Sequence, residues 1–138
     1  QQEVTEVLPL EISLPAVGQG ALGLEIRARD QRVRDLVEPM NHVPTGLAIA
    51  AERAFLRRLG GGCQVPIAAY GWLEGAELRL MALVINPDGT GVVRGERKGP
   101  SALADEIGLA IAEELLRRGA DRIIRDLSGT TLEPPAAP

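Results

Sequence analysis

Aromatic side chains are nearly missing from this sequence: Phe55, Tyr70 and Trp72 are the whole set among 138 residues. A core must therefore be assembled from Leu, Ile, Val and Ala, and stacking of nucleobases, which needs aromatic platforms, has little to work with. Net positive charge is missing as well. The formal charge is −4 at pH 7, the wrong sign for gripping phosphate backbones, so no nucleic-acid partner is expected. Cysteine occurs once, at Cys63, which excludes an internal disulfide and suits a reducing compartment; the expected location is cytoplasmic. Histidine also occurs once, at His42. With no Asp, Cys or second His at ligand spacing it reads as a solvated linker residue, and no metal site is expected. No apolar run approaches the ~20 residues that cross a bilayer, and no cationic start followed by an apolar stretch marks a signal peptide, so no membrane partner is expected either.

What is present is ordinary in amount. Hydrophobic residues make up 45% and charged residues 25%, enough for one core of the globular kind. The chain is organised around Gly60-Gly61-Gly62-Cys63-Gln64-Val65-Pro66-Ile67. A lone cysteine more often packs as a small hydrophobe than reacts. Here three consecutive glycines, which carry no Cβ, close a helix and leave the thiol on an unshielded loop where it can be reached.

Upstream of that loop, Gly18-Gln19-Gly20 forms a turn before Leu22, Leu24 and Ile26 alternate with polar or small residues, the period of a strand with one apolar side. Backbone at Gly18 and Gly20 can approach a ligand closely while Gln19 offers amide donors and an acceptor; the plainer reading is a loop entering a strand. Asp30 is a plausible N-cap for a short helix through Val37, ended by Pro39. Thr45 is expected to cap a helix over 46–59, with Leu47, Ala50, Ala51, Ala54 and Phe55 along one side, Arg57 and Arg58 in its last turn, and Gly60 as its stop.

Downstream, β-segments are expected over 65–73, 78–85 and 92–97, joined by Glu74-Gly75 and Asn86-Pro87-Asp88-Gly89. Links this short require antiparallel neighbours. The fold class is therefore α+β: a three-stranded antiparallel sheet covered on one face by helices, preceded by an incomplete strand and helix. The second covering helix is expected from Pro100 or Ser101 to Arg118, with Leu103, Ile107, Ala110 and Ile111 as its stripe and Gly119 as its stop. Ala120 to Leu127 adds a short amphipathic turn through Ile123, Ile124 and Leu127, and residues 128–138 read as a flexible tail. Residues 41–127 make a complete domain. The forty residues before it do not, so they either dock on something else or wrap this domain.

Four stretches together carry a resemblance: Leu14-Pro15-Ala16-Val17-Gly18-Gln19-Gly20-Ala21-Leu22-Gly23-Leu24-Glu25, Ala51-Glu52-Arg53-Ala54-Phe55-Leu56, Gly61-Gly62-Cys63-Gln64-Val65-Pro66-Ile67 and Arg94-Gly95-Glu96-Arg97. In this order and spacing they resemble the porphobilinogen deaminase (hydroxymethylbilane synthase) family, in its C-terminal part. The resemblance implies that 1–15 closes a second domain, 16–40 crosses back to complete a first, and 41–127 is the cofactor-anchoring third. It implies that Cys63 carries a dipyrromethane cofactor through a thioether, and that Gln19 and Gly20 lie at the cleft against a pyrrole ring. The implied activity is a transferase step of haem biosynthesis: four porphobilinogen units are joined head to tail, with loss of ammonia, and released as hydroxymethylbilane. A thiolate is a soft nucleophile suited to the electrophilic methylene left when porphobilinogen loses ammonia.

The partners implied are porphobilinogen and the N-terminal portion of the same enzyme, with the full enzyme monomeric. The family's proton-handling aspartate and most of its carboxylate-binding arginines belong to that N-terminal portion, so no catalytic residue is assigned in this chain and the chain alone is expected to be inactive. The alternative is a non-catalytic α+β module that binds a partner or assembles through its bare strand near Leu22.

Overall fold

The computed structural model describes residues 4–60 and 66–130, with side chains described through 127. Helix α1 spans Gln31–Val37, and the Asp30 carboxylate accepts from the Val33 N–H at 3.1 Å, as the N-cap reading requires. A single 3-10 turn, Glu38–Met40, follows it around Pro39.

Helix α2 spans Val43–Arg58, beginning three residues before the expected start at position 46. Pro44 in the first turn explains the early start, because its missing N–H has no intrahelical partner there and its fixed φ already suits a helix. His42 takes the N-cap position, and its ring shares a 2.8 Å hydrogen bond with the Thr45 hydroxyl, so Thr45 serves the histidine rather than capping the helix. At the other end Gly60 adopts φ 68, the left-handed C-terminal stop its sequence position implied.

Strands β1 (Ile67–Glu74), β2 (Glu77–Ile85) and β3 (Val92–Pro100) form an antiparallel meander in the order β1-β2-β3. The first hairpin closes between Glu74 and Glu77 over Gly75-Ala76, with Gly75 at φ 63 supplying the backbone hand that a two-residue loop needs. In the second, Asp88 accepts from both the N–H and the hydroxyl of Thr90, at 2.9 and 2.7 Å, while the Gly89 N–H donates to the Asn86 carbonyl at 2.9 Å.

Alternation along the strands sorts their faces. Leu78, Leu80, Ala82 and Val84 of β2, with Ala69 and Gly71 of β1, are buried beneath the helices. On the other face Tyr70 and Trp72 stack at 5.8 Å, and the Arg79 guanidinium lies 5.3 Å from the Trp72 ring centre. Glu74 accepts from the Trp72 ring N–H at 3.0 Å and from Arg79 at 3.1 Å, which holds its carboxyl below the ordinary value, the Trp72 bond contributing most.

Helix α3 spans Ala104–Leu115 and packs on α2 and the sheet. Its buried stripe is Ala104, Ile107, Ile111, Ala112 and Leu115; Leu103, expected in that stripe, sits in the 3-10 turn Ser101–Leu103 and is 45% exposed. The turn begins at Ser101, as expected, and regular α-helix follows only from Ala104; β3 extends through Pro100, three residues past its expected end at 97. Where α2 and α3 cross, Gly108 leaves no room for a side chain: a Cβ built there would stand 2.2 Å from the Ala51 carbonyl oxygen. Glycine inside a helix costs about 1 kcal/mol relative to alanine, and the close helix crossing requires it. Gly119, at φ 108, breaks the helical path as expected, and α4 (Asp121–Thr130) continues beyond it with Ile123 buried, running into the stretch expected to be tail. Residues 131–138 lie outside the described residues.

The expected strand over 22–26 is not formed. Among the described residues the only pairing made by this part of the chain is a single antiparallel bridge, Ala16 with Ala68 on β1, and Leu22 and Leu24 are 99% and 61% exposed. A strand exists by virtue of its ladder partner, and alternation alone cannot supply one.

Candidate functional site

Two attachments bring the first part of the chain onto the α2–sheet–α3 body. The Arg94 guanidinium, on β3, donates to the carbonyl oxygens of Leu10, at 2.8 Å, and of Glu11. The turn at 16–20 is held more deeply. Its backbone closes through the Gln19 N–H to the Ala16 carbonyl at 3.0 Å, with Gly18 and Gly20 at φ 74 and 86, values that glycine alone takes readily. The Gly18 N–H then donates to Oε2 of Glu52 at 2.7 Å, and Oε1 of the same carboxylate accepts from the Gly71 N–H at 2.8 Å.

Glu52 is 4% exposed, on the side of α2 that also carries Ala48, Ala51 and Phe55. Burial pushes its carboxyl above the ordinary value, and the N–H groups of Gly18 and Gly71 oppose that shift without cancelling it. Sequence reasoning passed over this residue. The signal was there: Glu52 follows Ala48 by one helical turn and precedes Phe55 by three residues, so it falls on the buried side, where an acid needs partners.

Beside this turn lies an open groove of about 600 Å³. One wall is the departing chain, with Gly18, Gly20, Leu22, Leu24 and Ile26; the other is α1 and the first half of α2, with Arg34, Val37, Thr45, Ile49 and Arg53. Gly20 lines this groove. Gln19 stands next to it, exposed and outside the lining, with its side-chain oxygen folded onto its own turn to accept from the Ala16 N–H at 3.3 Å. Cys63 lies outside the described residues; helix α2, which lines the groove, is the element that leads to it.

Leu22, Leu24, Ile26 and Val37 offer apolar surface, while Arg34 and Arg53 offer guanidinium forks suited to carboxylates. A Cβ built at Gly18 or Gly20 would meet nothing within 4 Å, so the backbone there is open to close approach. Among the described residues no group of three or more His, Cys, Asp or Glu side chains comes together as a metal would need, and no helix is long and apolar enough to cross a membrane.

The fold is an α+β module with an open groove beside its 16–20 turn. Residues 47–117 match the family described as porphobilinogen deaminase, C-terminal domain, and residues 1–35 match that described as porphobilinogen deaminase, dipyromethane cofactor binding domain. The chain belongs to the porphobilinogen deaminase family, whose domains serve tetrapyrrole biosynthesis as transferase parts associated with dipyrromethane.

Proposed function

We propose that this chain supplies the C-terminal portion of the transferase that joins four porphobilinogen units head to tail, with loss of ammonia, into hydroxymethylbilane. The observation that carries the reading is the pair of family matches in order on one chain, with the unmatched stretch 36–46 covering the junction between α1 and α2. In this reading 1–15 closes a second domain, 16–40 crosses to a first, and 41–127 is the anchoring third. The exposure of Leu22 and Leu24 supports it, since an alternating apolar segment left bare is the side of a strand that another domain of the same enzyme would cover.

Cys63 is the anchor. Its thiolate adds to the electrophilic methylene left after a porphobilinogen-type aminomethyl group has lost ammonia; one C–S bond forms, and the thiol proton leaves with the departing amine as ammonium. When bound, the dipyrromethane supplies the free pyrrole carbon onto which the first substrate unit is joined. The residues of this chain hold and orient: Gly18 and Gly20 give close backbone approach, and Arg34 and Arg53 neutralise carboxylates along the groove. No proton transfer is assigned to a side chain here, so the chain by itself is expected to release no ammonia from porphobilinogen.

The test is intact-mass and peptide mass spectrometry of the chain produced together with the N-terminal portion of the enzyme. A mass increase of two pyrrole units on the Cys63 peptide, absent from Cys63→Ser, is the expected result. An adduct on another residue, or none, would contradict it.

A further inference from the structure

Glu52 is the one buried charged side chain among the described residues, and the reading above gives it no task. We propose that Glu52 is a positioning residue: its carboxylate clamps the Gly18-Gln19-Gly20 turn to helix α2 and strand β1, so that the turn moves with the C-terminal body and not with the chain that follows it. The consequence for ligand placement rests on the proposed roles of Gln19 and Gly20, while the clamp itself does not.

Both carboxylate oxygens are in use, and their donors come from separate parts of the chain, Gly18 at 2.7 Å and Gly71 at 2.8 Å. The reach is set by close packing of β1 on α2. A Cβ at Gly71 would stand 3.1 Å from the Ala48 carbonyl oxygen, so strand and helix meet backbone to backbone there and bring the Gly71 N–H to the acid. The Ala16–Ala68 bridge adds a second attachment two residues before Gly18. Beyond Gly20 the attachments stop: among the described residues, no hydrogen bond or ion pair joins 21–41 to the body.

The boundary between what is fastened and what is not therefore falls at Gly20, where φ is 86 and the surroundings are open. Because α2 runs on toward Cys63, a turn clamped to α2 keeps a fixed relation to the helix that leads to the proposed anchor, whatever the segment 21–40 does. The groups facing Glu52 are the two backbone N–H donors; Arg53, next along α2, is exposed and makes no ion pair with it among the described residues.

The test is amide hydrogen exchange of the full chain read by 1H–15N spectroscopy. In Glu52→Ala, exchange at Gly18 and Gln19 is expected to accelerate about ten- to a hundredfold, the loss of a charge-assisted hydrogen bond, while Leu80 and Ala82 in β2 keep their rates. Glu52→Gln, which retains one acceptor oxygen, should fall between. Unchanged rates at 18–19, or equal acceleration in β2, would overturn the clamp. Should the variants fail to fold, the wild-type chain decides: the Gly18 and Gly71 amide protons should shift together with pH, at one midpoint above the ordinary carboxylate range. Separate midpoints, or a silent Gly18, would overturn it. None of these readouts involves the cofactor, so they fail independently of the thioether measurement.

Discussion

The two parts of this chain carry similar proportions of apolar side chain and do opposite things with it. From α2 to α4 the apolar residues interlock: Phe55, Leu78, Leu80, Val84, Ile111 and Leu115 are fully buried in one core. Across 4–42 not one residue is buried, although Val4, Val7, Leu8, Ile12, Leu22, Leu24, Leu36 and Met40 are all there to be used. The difference is partnership. The later part has two helices that close over a sheet, whereas the earlier part has one two-turn helix and an unpaired extended segment, which cannot make an inside. The earlier part is fastened at a few points: at Leu10 and Glu11 through Arg94, at Gly18 through Glu52, through the Ala16–Ala68 bridge, and by Val17, which packs against the edge of the core.

The contrast predicts unequal responses to substitution. Phe55→Ala should cost about 3–5 kcal/mol, the range for emptying a fully buried aromatic site, measured by urea unfolding; a cost below about 1 kcal/mol would mean the core is not where it is described. Gly108→Ala comes next, at about 1–3 kcal/mol of overpacking, because its new methyl meets the rigid Ala51 carbonyl. At the opposite extreme, Leu22→Ser and Leu24→Ser should change stability by less than about 0.5 kcal/mol, as exposed sites do. A larger loss there would erase the distinction between the two parts.

Between those extremes lie two carboxyl groups with opposite pH behaviour. Glu52 has its pKa raised by burial, so between the ordinary carboxylate value and the raised one the native state holds more protons than the unfolded chain. Its contribution is present below the unfolded value and lost as pH rises through the folded one. Unfolding free energy of the wild type should therefore fall with pH across that window relative to Glu52→Gln; parallel curves would contradict the assignment. Glu74 has its pKa lowered, first by the Trp72 ring N–H and then by Arg79, so its interaction persists above the ordinary value and is lost only as pH falls through the lowered one. Trp72 is the sole tryptophan. Its fluorescence should titrate below the ordinary carboxylate range and lose that transition in Glu74→Gln.

Much of this was legible in the residues, and most of the failures have a common cause, the early start of α2 at Pro44 being the local exception. Local signals held: Asp30 as a cap, Gly60 as a stop, Gly75 in a hairpin, Gly119 as a break, and the antiparallel meander that short links impose. What went unread depends on contacts distant in sequence. Alternation at Leu22, Leu24 and Ile26 states which side would be buried but not what pairs with it, and Leu103 becomes the N-cap residue of α3, in the 3-10 turn before it, and stays outside the packed stripe. Glu52 was passed over: its spacing puts it on the buried side of α2, but its donors lie 34 and 19 positions away. Gly20 lines the groove, and Gln19 beside it folds its amide oxygen back onto its own turn.

The claim on which the account turns is that 21–40 is surface waiting for the other domains of the same enzyme, while 43–127 is complete in itself. Hydrogen exchange of the chain, alone and then mixed with a separately produced N-terminal portion, tests it most directly. Alone, amides in β2 and α3 should be protected and those of 21–37 should exchange at nearly unfolded rates; on mixing, protection should appear in 21–37 with little change in β2. Protection of 21–37 in the isolated chain, or none gained on mixing, would contradict the account.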